Sequence, residues 1–280
     1  MNQNRPIGVF DSGVGGLTVV SALTRHLPNE EILYLGDTAR LPYGTKSKET
    51  VTRYTRRNVD FLVGRGVKAI VVACNTATAL ALDDLAVEVP LWGVVGPGAR
   101  AAAALADRGP IGVIATESTI DSGAYQRAIK ALCPEVVVHA QACPLFVPLV
   151  EEGWADDPVA ELVARRYLEP LLAEGVRTLV LGCTHYPLLS RVIEKVAGPR
   201  VLLVDSAETV AREVEAELSR AGLLRLEPSR PRHHFCVTDR SPRFARIARG
   251  LLHPVSLETR HQEPVPLPVD EDLTLEWVEV

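Results

Sequence analysis

The chain alternates between short apolar runs and longer segments with helical periodicity. The runs have the length and β-branched content of strands buried on both faces, and the intervening segments repeat apolar residues every three or four positions. This alternation predicts an α/β fold with mainly parallel sheets and helices on both faces. The eight predicted strands are PIGVF, EILYLG, KAIVVAC, LWGVVG, PIGVIAT, EVVVHAQ, RTLVLGC and RVLLVD. Helices are predicted over 15–27, 46–65, 76–86, 98–107, 119–132, 158–174, 187–197 and 207–221.

Two stretches of the first half have counterparts in the second half. IGVFDS at 7–12 resembles IGVIAT at 111–116, and KAIVVACNTAT at 68–78 resembles RTLVLGCTHYP at 177–187. Any two buried βα units look somewhat alike, but that does not account for a cysteine directly after the strand in both copies. The sequence therefore predicts two similar halves.

Changes in composition suggest where these halves meet. GPGAR at 96–100 is a break between them, and VDSAETV at 204–210 is a point where the chain can return to the first half. The last stretch, from residue 262, is acidic and rich in proline. It is expected to be a surface tail or an added edge strand.

Polar residues follow several predicted strands, where open α/β sheets bind their ligands. We expect three such groups to face one cleft. They are Asp11 and Ser12 after the first strand, Cys74, Asn75 and Thr76 after the third, and Cys183, Thr184 and His185 after the seventh.

The two cysteines at matching strand ends suggest proton-transfer chemistry. Cys74 and Cys183 each precede a turn into a helix, and a helix N-terminus is expected to lower a thiol pKa and to offer N–H groups to an anion. A single buried cysteine is more often inert, but two at equivalent positions favour chemistry. Two opposed thiols can remove a proton from one face of a carbon and deliver a proton to the other face. No lysine is placed for a Schiff base, so no cofactor is expected.

Acid/base partners are available for both cysteines. Asp11 is a candidate to tune Cys74, and a couple of His185 and Glu151 is a candidate to tune Cys183. A capping or core histidine and a solvated glutamate are the plainer alternatives. The paired spacing of metal ligands is lacking, so no metal is expected.

The segment YLGDTARLPYG at 34–44 has the composition of an ordered loop after a strand. Tyr43 and Gly44 are candidates to close over a small substrate, with Asp37 as an anchor, although a purely structural turn fits the loop equally well. The GVGG cluster is not a dinucleotide fingerprint, because Thr18 occupies the position of its third glycine.

Composition narrows the function classes. The 280 residues are 47% hydrophobic with a formal charge of -5, and charges of both signs are interspersed, so nucleic acid is not an expected partner. The sequence predicts no membrane partner and a cytoplasmic location, because it has neither an N-terminal signal pattern nor a run of ~18 apolar residues. The five scattered cysteines are expected to be reduced.

Taken together, the motifs FDSGVGGL, YLGDTARLPYG, VVACNTAT, CPLFVPLVEEG and LVLGCTHYP resemble the glutamate racemase family of the aspartate/glutamate racemase superfamily, over roughly the first 260 residues. The resemblance implies cofactor-free interconversion of L- and D-glutamate, with D-glutamate supplied for peptidoglycan. It implies that Cys74 is the base for D-glutamate and Cys183 the base for L-glutamate, supported by Asp11, Glu151 and His185. The implied substrate contacts are Asp11, Ser12, Tyr43, Gly44, Asn75, Thr76, Thr116, Thr184 and His185, with Thr119 as a further candidate.

The family fold implies two similar α/β domains with the active site in the cleft between them, and a homodimer. Carried over, residues 1–97 with 207–262 form one domain, 98–206 form the other, and 263–280 form a C-terminal tail. Two alternatives remain open. One is a racemase acting on aspartate or another acidic amino acid, and the other is a carboxylate-binding protein in which the thiols are bystanders.

Overall fold

A computed structural model describes residues 3–227, 231–240, 242–252 and 275–280. Its strands are β1 (Ile7–Asp11), β2 (Ile32–Gly36), β3 (Ala69–Val72), β4 (Leu91–Gly93), β5 (Ile111–Ala115), β6 (Val138–Ala142), β7 (Thr178–Gly182), β8 (Leu202–Asp205), β9 (His234–Val237) and β10 (Leu275–Trp277). Its α-helices are α1 (Leu17–His26), α2 (Lys48–Gly64), α3 (Asn75–Ala81), α4 (Val95–Ala103), α5 (Glu117–Asp121), α6 (Ala124–Leu132), α7 (Phe146–Glu152), α8 (Pro158–Ala173), α9 (Ser190–Ala197), α10 (Ser206–Arg220) and α11 (Pro242–Leu252).

The strands form two parallel sheets that share one topology. Within the described residues, one sheet has the order β10-β9-β2-β1-β3-β4 and the other the order β6-β5-β7-β8. In both, the first strand of the half is central, the second lies on one side, and the third and fourth lie on the other. The predicted fold class and internal repeat are therefore confirmed. The central strands β1 and β5 are fully buried, as continuous apolar runs require.

Helices cover both faces of the sheets because their apolar residues recur at helical spacing. On one face, Leu17 and Val20 of α1 join Val210 and Val214 of α10 in a single buried cluster with Ile7 of β1. All eight predicted strands and helical segments are present, with ends that differ by a few residues. The predicted helix over 119–132 divides into α5 and α6 at a glycine with positive φ.

Three of the described helices and strands were not predicted, and a fourth was predicted only as one of two alternatives. Helix α7 is only seven residues long and contains a proline, and β9 is four residues long with charged flanks, so both are too short for a periodicity signal. Helix α11 was also missed. Strand β10 pairs in parallel with β9, so the added edge strand describes residues 275–277 better than a free tail.

The two sheets draw on different parts of the chain. The larger one uses residues 7–93, 234–237 and 275–277, and the smaller one uses residues 111–205. The predicted boundary at residue 97 falls inside α4, the one at 206 falls at the start of α10, and the one at 262 lies outside the described residues. The division into domains stays a prediction. None of the helices in the described part of the chain has the length and apolar character needed to cross a bilayer.

Candidate active site

The carboxyl ends of strands from both sheets meet at one narrow cavity of about 30 Å³. Parallel strands end at the same edge of a sheet, so polar residues that follow β1 and β3 face those that follow β5 and β7. Both Cys74 and Cys183 line this cavity, which is the juxtaposition that two-thiol chemistry requires. The lining residues are Ser12, Gly13, Leu41, Pro42, Tyr43, Gly44, Cys74, Asn75, Thr76, Thr116, Val147, Glu151, Cys183, Thr184 and His185.

Cys74 lies at the start of α3 and caps it. Its Sγ accepts a hydrogen bond from the Ala77 N–H at 3.5 Å and lies 3.5 Å from Ser12 Oγ. Burial, and then the negative charge of Asp11, raise the pKa of the Cys74 thiol to about 12, although the contacts with Ala77 and Ser12 oppose this. The expected lowering of this pKa is therefore wrong, because burial outweighs the helix N-terminus.

Cys183 has a different neighbour. A 3-10 helix, Tyr186–Leu189, follows its motif and α9 begins only at Ser190, so the expectation that an α-helix starts beside this thiol is wrong. Instead, Cys183 Sγ lies 4.0 Å from His185 Nδ1. An imidazole therefore lies beside this sulfur, where the sequence predicted the start of a helix.

His185 and Glu151 form a buried pair behind Cys183. The His185 Nε2 atom lies 3.4 Å from Glu151 Oε1, an ion-pair contact whose geometry is not that of a hydrogen bond. Burial by itself lowers the pKa of His185, but its contacts with Cys183 and Glu151, together with the charge of Asp11, outweigh burial and raise that pKa to about 10. The imidazole is therefore cationic at neutral pH.

Asp11 lies beneath the cavity and connects the two cysteine motifs. It is fully buried, its Oδ2 accepts from the Gly13 N–H at 2.9 Å, and its Oδ1 accepts from Thr184 Oγ1 at 3.3 Å. Among the residues described it is not part of the cavity lining, in contrast to the substrate contact expected of it. Its charge acts on both Cys74 and His185.

Three threonine hydroxyls join the two halves at the cavity wall. Thr76 Oγ1 lies 2.9 Å from Thr116 Oγ1 and 3.1 Å from Thr119 Oγ1. Thr116 and Thr119 also contact each other at 2.9 Å. Thr76 and Thr116 line the cavity, whereas Thr119 lies behind them. Thr119 therefore supports the other two hydroxyls from outside the lining.

Tyr43 is held from behind by a buried polar network. Its hydroxyl donates to Asp37 Oδ2 and accepts from Asn58 Nδ2 at 3.0 Å. Arg40 Nη1 and Thr238 Oγ1 donate to the other Asp37 oxygen at 2.8 and 2.9 Å. Asp37 thus anchors the loop as expected, and the anchored loop places Tyr43 and Gly44 in the cavity lining.

Glycines allow the walls to approach each other. A Cβ at Gly15 would lie 2.4 Å from Thr184 Oγ1, and one at Gly44 would lie 2.5 Å from Thr116 Cβ. Real side chains cannot pack at such distances, so only glycine fits these two positions. The GVGG and PYG motifs therefore serve close packing between the halves.

The structure brings together all the predicted site residues except Asp11 and Thr119 at the cavity surface. Sequence reasoning missed Gly13, Leu41, Pro42 and Val147, although all four lie in the quoted motifs FDSGVGGL, YLGDTARLPYG and CPLFVPLVEEG. Within residues 3–227, 231–240, 242–252 and 275–280, no group of three or more His, Cys, Asp or Glu side chains is arranged to hold a metal ion.

Comparison with known proteins agrees with this geometry. Residues 12–214 match the family model described as Asp/Glu/Hydantoin racemase. A glutamate racemase from Geobacter metallireducens is 54% identical, with 92% of this chain and 99% of that protein covered. The crystal structure of glutamate racemase from Thermus thermophilus in complex with β-chloro-D-alanine has a TM-score of 0.81 at 50% identity, covering 90% of this chain and 94% of that one.

A third relative shares the fold over nearly its full length. The crystal structure of glutamate racemase from Francisella tularensis in complex with D-glutamate has a TM-score of 0.84 at 39% identity, covering 95% of this chain and 99% of that one. On the family match and these identities, the chain belongs to the Asp/Glu/Hydantoin racemase family and is an amino-acid racemase, an isomerase.

Proposed function

We propose that this protein is a glutamate racemase that interconverts L- and D-glutamate with two cysteines as its acid and base. The observation that carries the proposal is that Cys74 and Cys183, from matching strand ends of two similar halves, line one cavity. The glutamate racemases from Geobacter metallireducens and Thermus thermophilus, at 54% and 50% identity, support glutamate as the substrate.

The reaction removes the proton from one face of the substrate Cα and delivers a proton to the opposite face. With D-glutamate, the Cys74 thiolate takes the Cα proton, so that an S–H bond forms while the C–H bond breaks and the electron pair passes into the carboxylate. The Cys183 thiol then gives its proton to the opposite face and becomes the thiolate. With L-glutamate the roles reverse. Because each face has its own thiol, the intermediate does not need to rotate.

The polar groups of the cavity wall bind the substrate carboxylates. The amide of Asn75 and the hydroxyls of Ser12, Thr76 and Thr184 line the cavity and supply hydrogen bonds to the substrate carboxylates. Next to Cys183, the imidazolium of His185, paired with Glu151, lies beside the sulfur. No cofactor takes part in the proposed reaction.

The protein is further proposed to work as a homodimer in the cytoplasm, where D-glutamate is used for peptidoglycan. The similarity to glutamate racemases supports these proposals. An acidic amino acid one methylene shorter remains the nearest rival substrate, since a pocket distinguishes one methylene by only ~1–3 kcal/mol.

The purified protein tests the proposal without any cofactor. With D-glutamate in deuterated water, we expect L-glutamate to form and deuterium to appear at Cα, measured by circular dichroism and proton NMR. D-aspartate is expected to react at least about tenfold more slowly. Binding of glutamate without exchange would indicate a carboxylate-binding protein, and faster turnover of D-aspartate would indicate the rival racemase.

A further inference from the structure

The side-chain amide of Asn75 is only half satisfied. Its Oδ1 accepts a hydrogen bond from the Tyr125 hydroxyl at 2.7 Å, while its Nδ2 is buried and has no hydrogen-bond partner. The residue is 2% exposed and lines the cavity between the two cysteines. A buried amide donor without a partner is unfavourable, so a site that keeps one is prepared for an acceptor on a ligand.

Tyr125 is seated so that its hydroxyl cannot move far. The side chain is 1% exposed on α6, and a Cβ added at Gly98 or Gly182 would lie 3.2 Å from ring atoms, which means that backbone packs closely against the ring. Burial raises the pKa of the phenol above its ordinary value, and the nearby Ser206 hydroxyl opposes this only in part. The phenol therefore keeps its proton and acts as a donor.

A phenol that donates its proton selects one orientation of the amide. Only the oxygen end of Asn75 can accept from the Tyr125 hydroxyl, so the NH₂ end is directed away from the tyrosine. Asn75 follows β3 of the larger sheet, whereas Tyr125 belongs to a helix beside the smaller sheet. The amide in the first cysteine motif is thus oriented by the half that carries the second cysteine.

We propose that Tyr125 is a positioning residue that turns the Asn75 amide so that its Nδ2 donates to a substrate carboxylate. This inference rests on the proposed function, because it takes glutamate as the ligand. Without the hydroxyl, the amide is free to present its oxygen to the anion, which repels it. A carboxylate is present in both the ground state and the transition state, so the loss is expected in KM and not in kcat.

A double-mutant cycle with Tyr125→Phe and Asn75→Ala tests the coupling. We expect Tyr125→Phe to raise KM for D-glutamate about tenfold and to change kcat less than about twofold. In the Asn75→Ala background the same change is expected to have less than about a twofold further effect, because its partner is gone. Tyr167→Phe is the matched control. It removes a hydroxyl that accepts from the Leu145 N–H on the same half, and its KM is expected to stay unchanged.

Two further measurements separate orientation from folding. Gly98→Ala presses on the Tyr125 ring and hydroxyl without removing them, and is expected to raise KM severalfold. The dissociation constant for D-glutamate, measured by calorimetry, is expected to rise in the same ratio as KM in Tyr125→Phe. These readouts remain available if the phenylalanine variant folds poorly or turnover is too slow to measure.

The possible outcomes distinguish the two proposals. An active wild-type enzyme with normal KM and dissociation constant in Tyr125→Phe would overturn the role of Tyr125 and leave the racemase intact. Equal effects of Tyr125→Phe with and without Asn75 would also overturn it. A wild-type protein that binds glutamate in a Tyr125-dependent way but never exchanges its Cα hydrogen would overturn the proposed function alone. A protein that does not bind glutamate would overturn both.

Discussion

The two cysteines occupy equivalent places in two similar halves, yet their surroundings differ. Cys74 begins α3 and contacts a backbone N–H and the Ser12 hydroxyl, and burial still raises its pKa to about 12. Cys183 has no α-helix start beside it and contacts His185, whose own pKa is raised to about 10. The two halves thus share the position of the thiol but not the polar groups that contact it.

This difference has a consequence for how each thiol is activated. On the second side, the raised pKa of His185 places a cationic imidazole 4.0 Å from the sulfur of Cys183. On the first side, Asp11 and burial disfavour a thiolate at Cys74. A cationic ammonium group of a bound amino acid would offset both effects. We therefore expect substrate binding to lower the pKa of the Cys74 thiol.

The largest expected effect is that of removing either sulfur. Cys74→Ser and Cys183→Ser should each lower racemisation by about 10³-fold or more, because a hydroxyl is a far weaker base than a thiolate. The two serine variants should differ in the activity that remains. Cys183→Ser should still exchange the Cα hydrogen of D-glutamate with solvent deuterium, and Cys74→Ser that of L-glutamate, as followed by NMR. Full racemisation by either variant would remove that cysteine from the mechanism.

Removing the imidazole of His185 tests the surroundings of Cys183 alone. His185→Asn should lower kcat by about 10²-fold. The pKa of His185 is raised from 6.5 to about 10, so the ring is fully cationic at neutral pH and loses its charge as the pH rises through about 10. The wild-type rate should therefore fall on the alkaline side near pH 10, and this limb should be missing in His185→Asn. His26→Asn, in a half-exposed ion pair with Glu208, is the control with an unchanged profile.

Much of the fold and of the candidate site could be predicted from the sequence, because the sequence patterns that indicate them are local. Strands such as β3 and β7 are continuous apolar runs, and the cysteine after each follows directly from the spacing. Parallel pairing then brings their ends together. The pKa of Cys74 could not be predicted, since it depends on how much surrounding structure excludes water. The contact between Tyr125 and Asn75 could not be predicted either, because Tyr125 lies in an amphipathic helix and its hydroxyl meets Asn75 only when the two halves of the chain come together.

The adjacent residues Gly15 and Gly16 pack against different groups of the site, so an added methyl at each disturbs a different group. A Cβ at Gly15 would lie 2.4 Å from Thr184 Oγ1 and 2.6 Å from His185 Nδ1, whereas one at Gly16 would lie 2.4 Å from Asp11 Cβ. We expect Gly15→Ala and Gly16→Ala each to lower kcat/KM by at least about tenfold, because the contacted groups must move by roughly 1 Å to make room.

The pH profile separates these two variants. Gly15→Ala, which presses on the His185 ring itself, should shift the alkaline limb that belongs to His185 more than Gly16→Ala, which reaches His185 only through the charge of Asp11. Gly64→Ala, where an added Cβ meets nothing within 4 Å, is the control with wild-type kinetics. If both site variants shifted the limb equally, the surroundings of Cys74 and of Cys183 would be too strongly coupled to act separately.

The smallest expected effect concerns the hydroxyl beside Cys74. The Ser12 contact lowers the pKa of that thiol, so Ser12→Ala should raise the pKa further and slow alkylation of Cys74 by iodoacetamide about threefold at pH 8. Alkylation of Cys183, followed separately by peptide mass spectrometry, should not change. Thr18→Val removes a nearby hydroxyl that donates to backbone oxygens and to neither sulfur, so it serves as the control. A slower reaction at Cys183 in Ser12→Ala would mean that one hydrogen-bonded network governs both thiols. The difference between the two halves would then arise from Asp11, which contacts the second cysteine motif and acts on Cys74, and not from the separate neighbours of each sulfur.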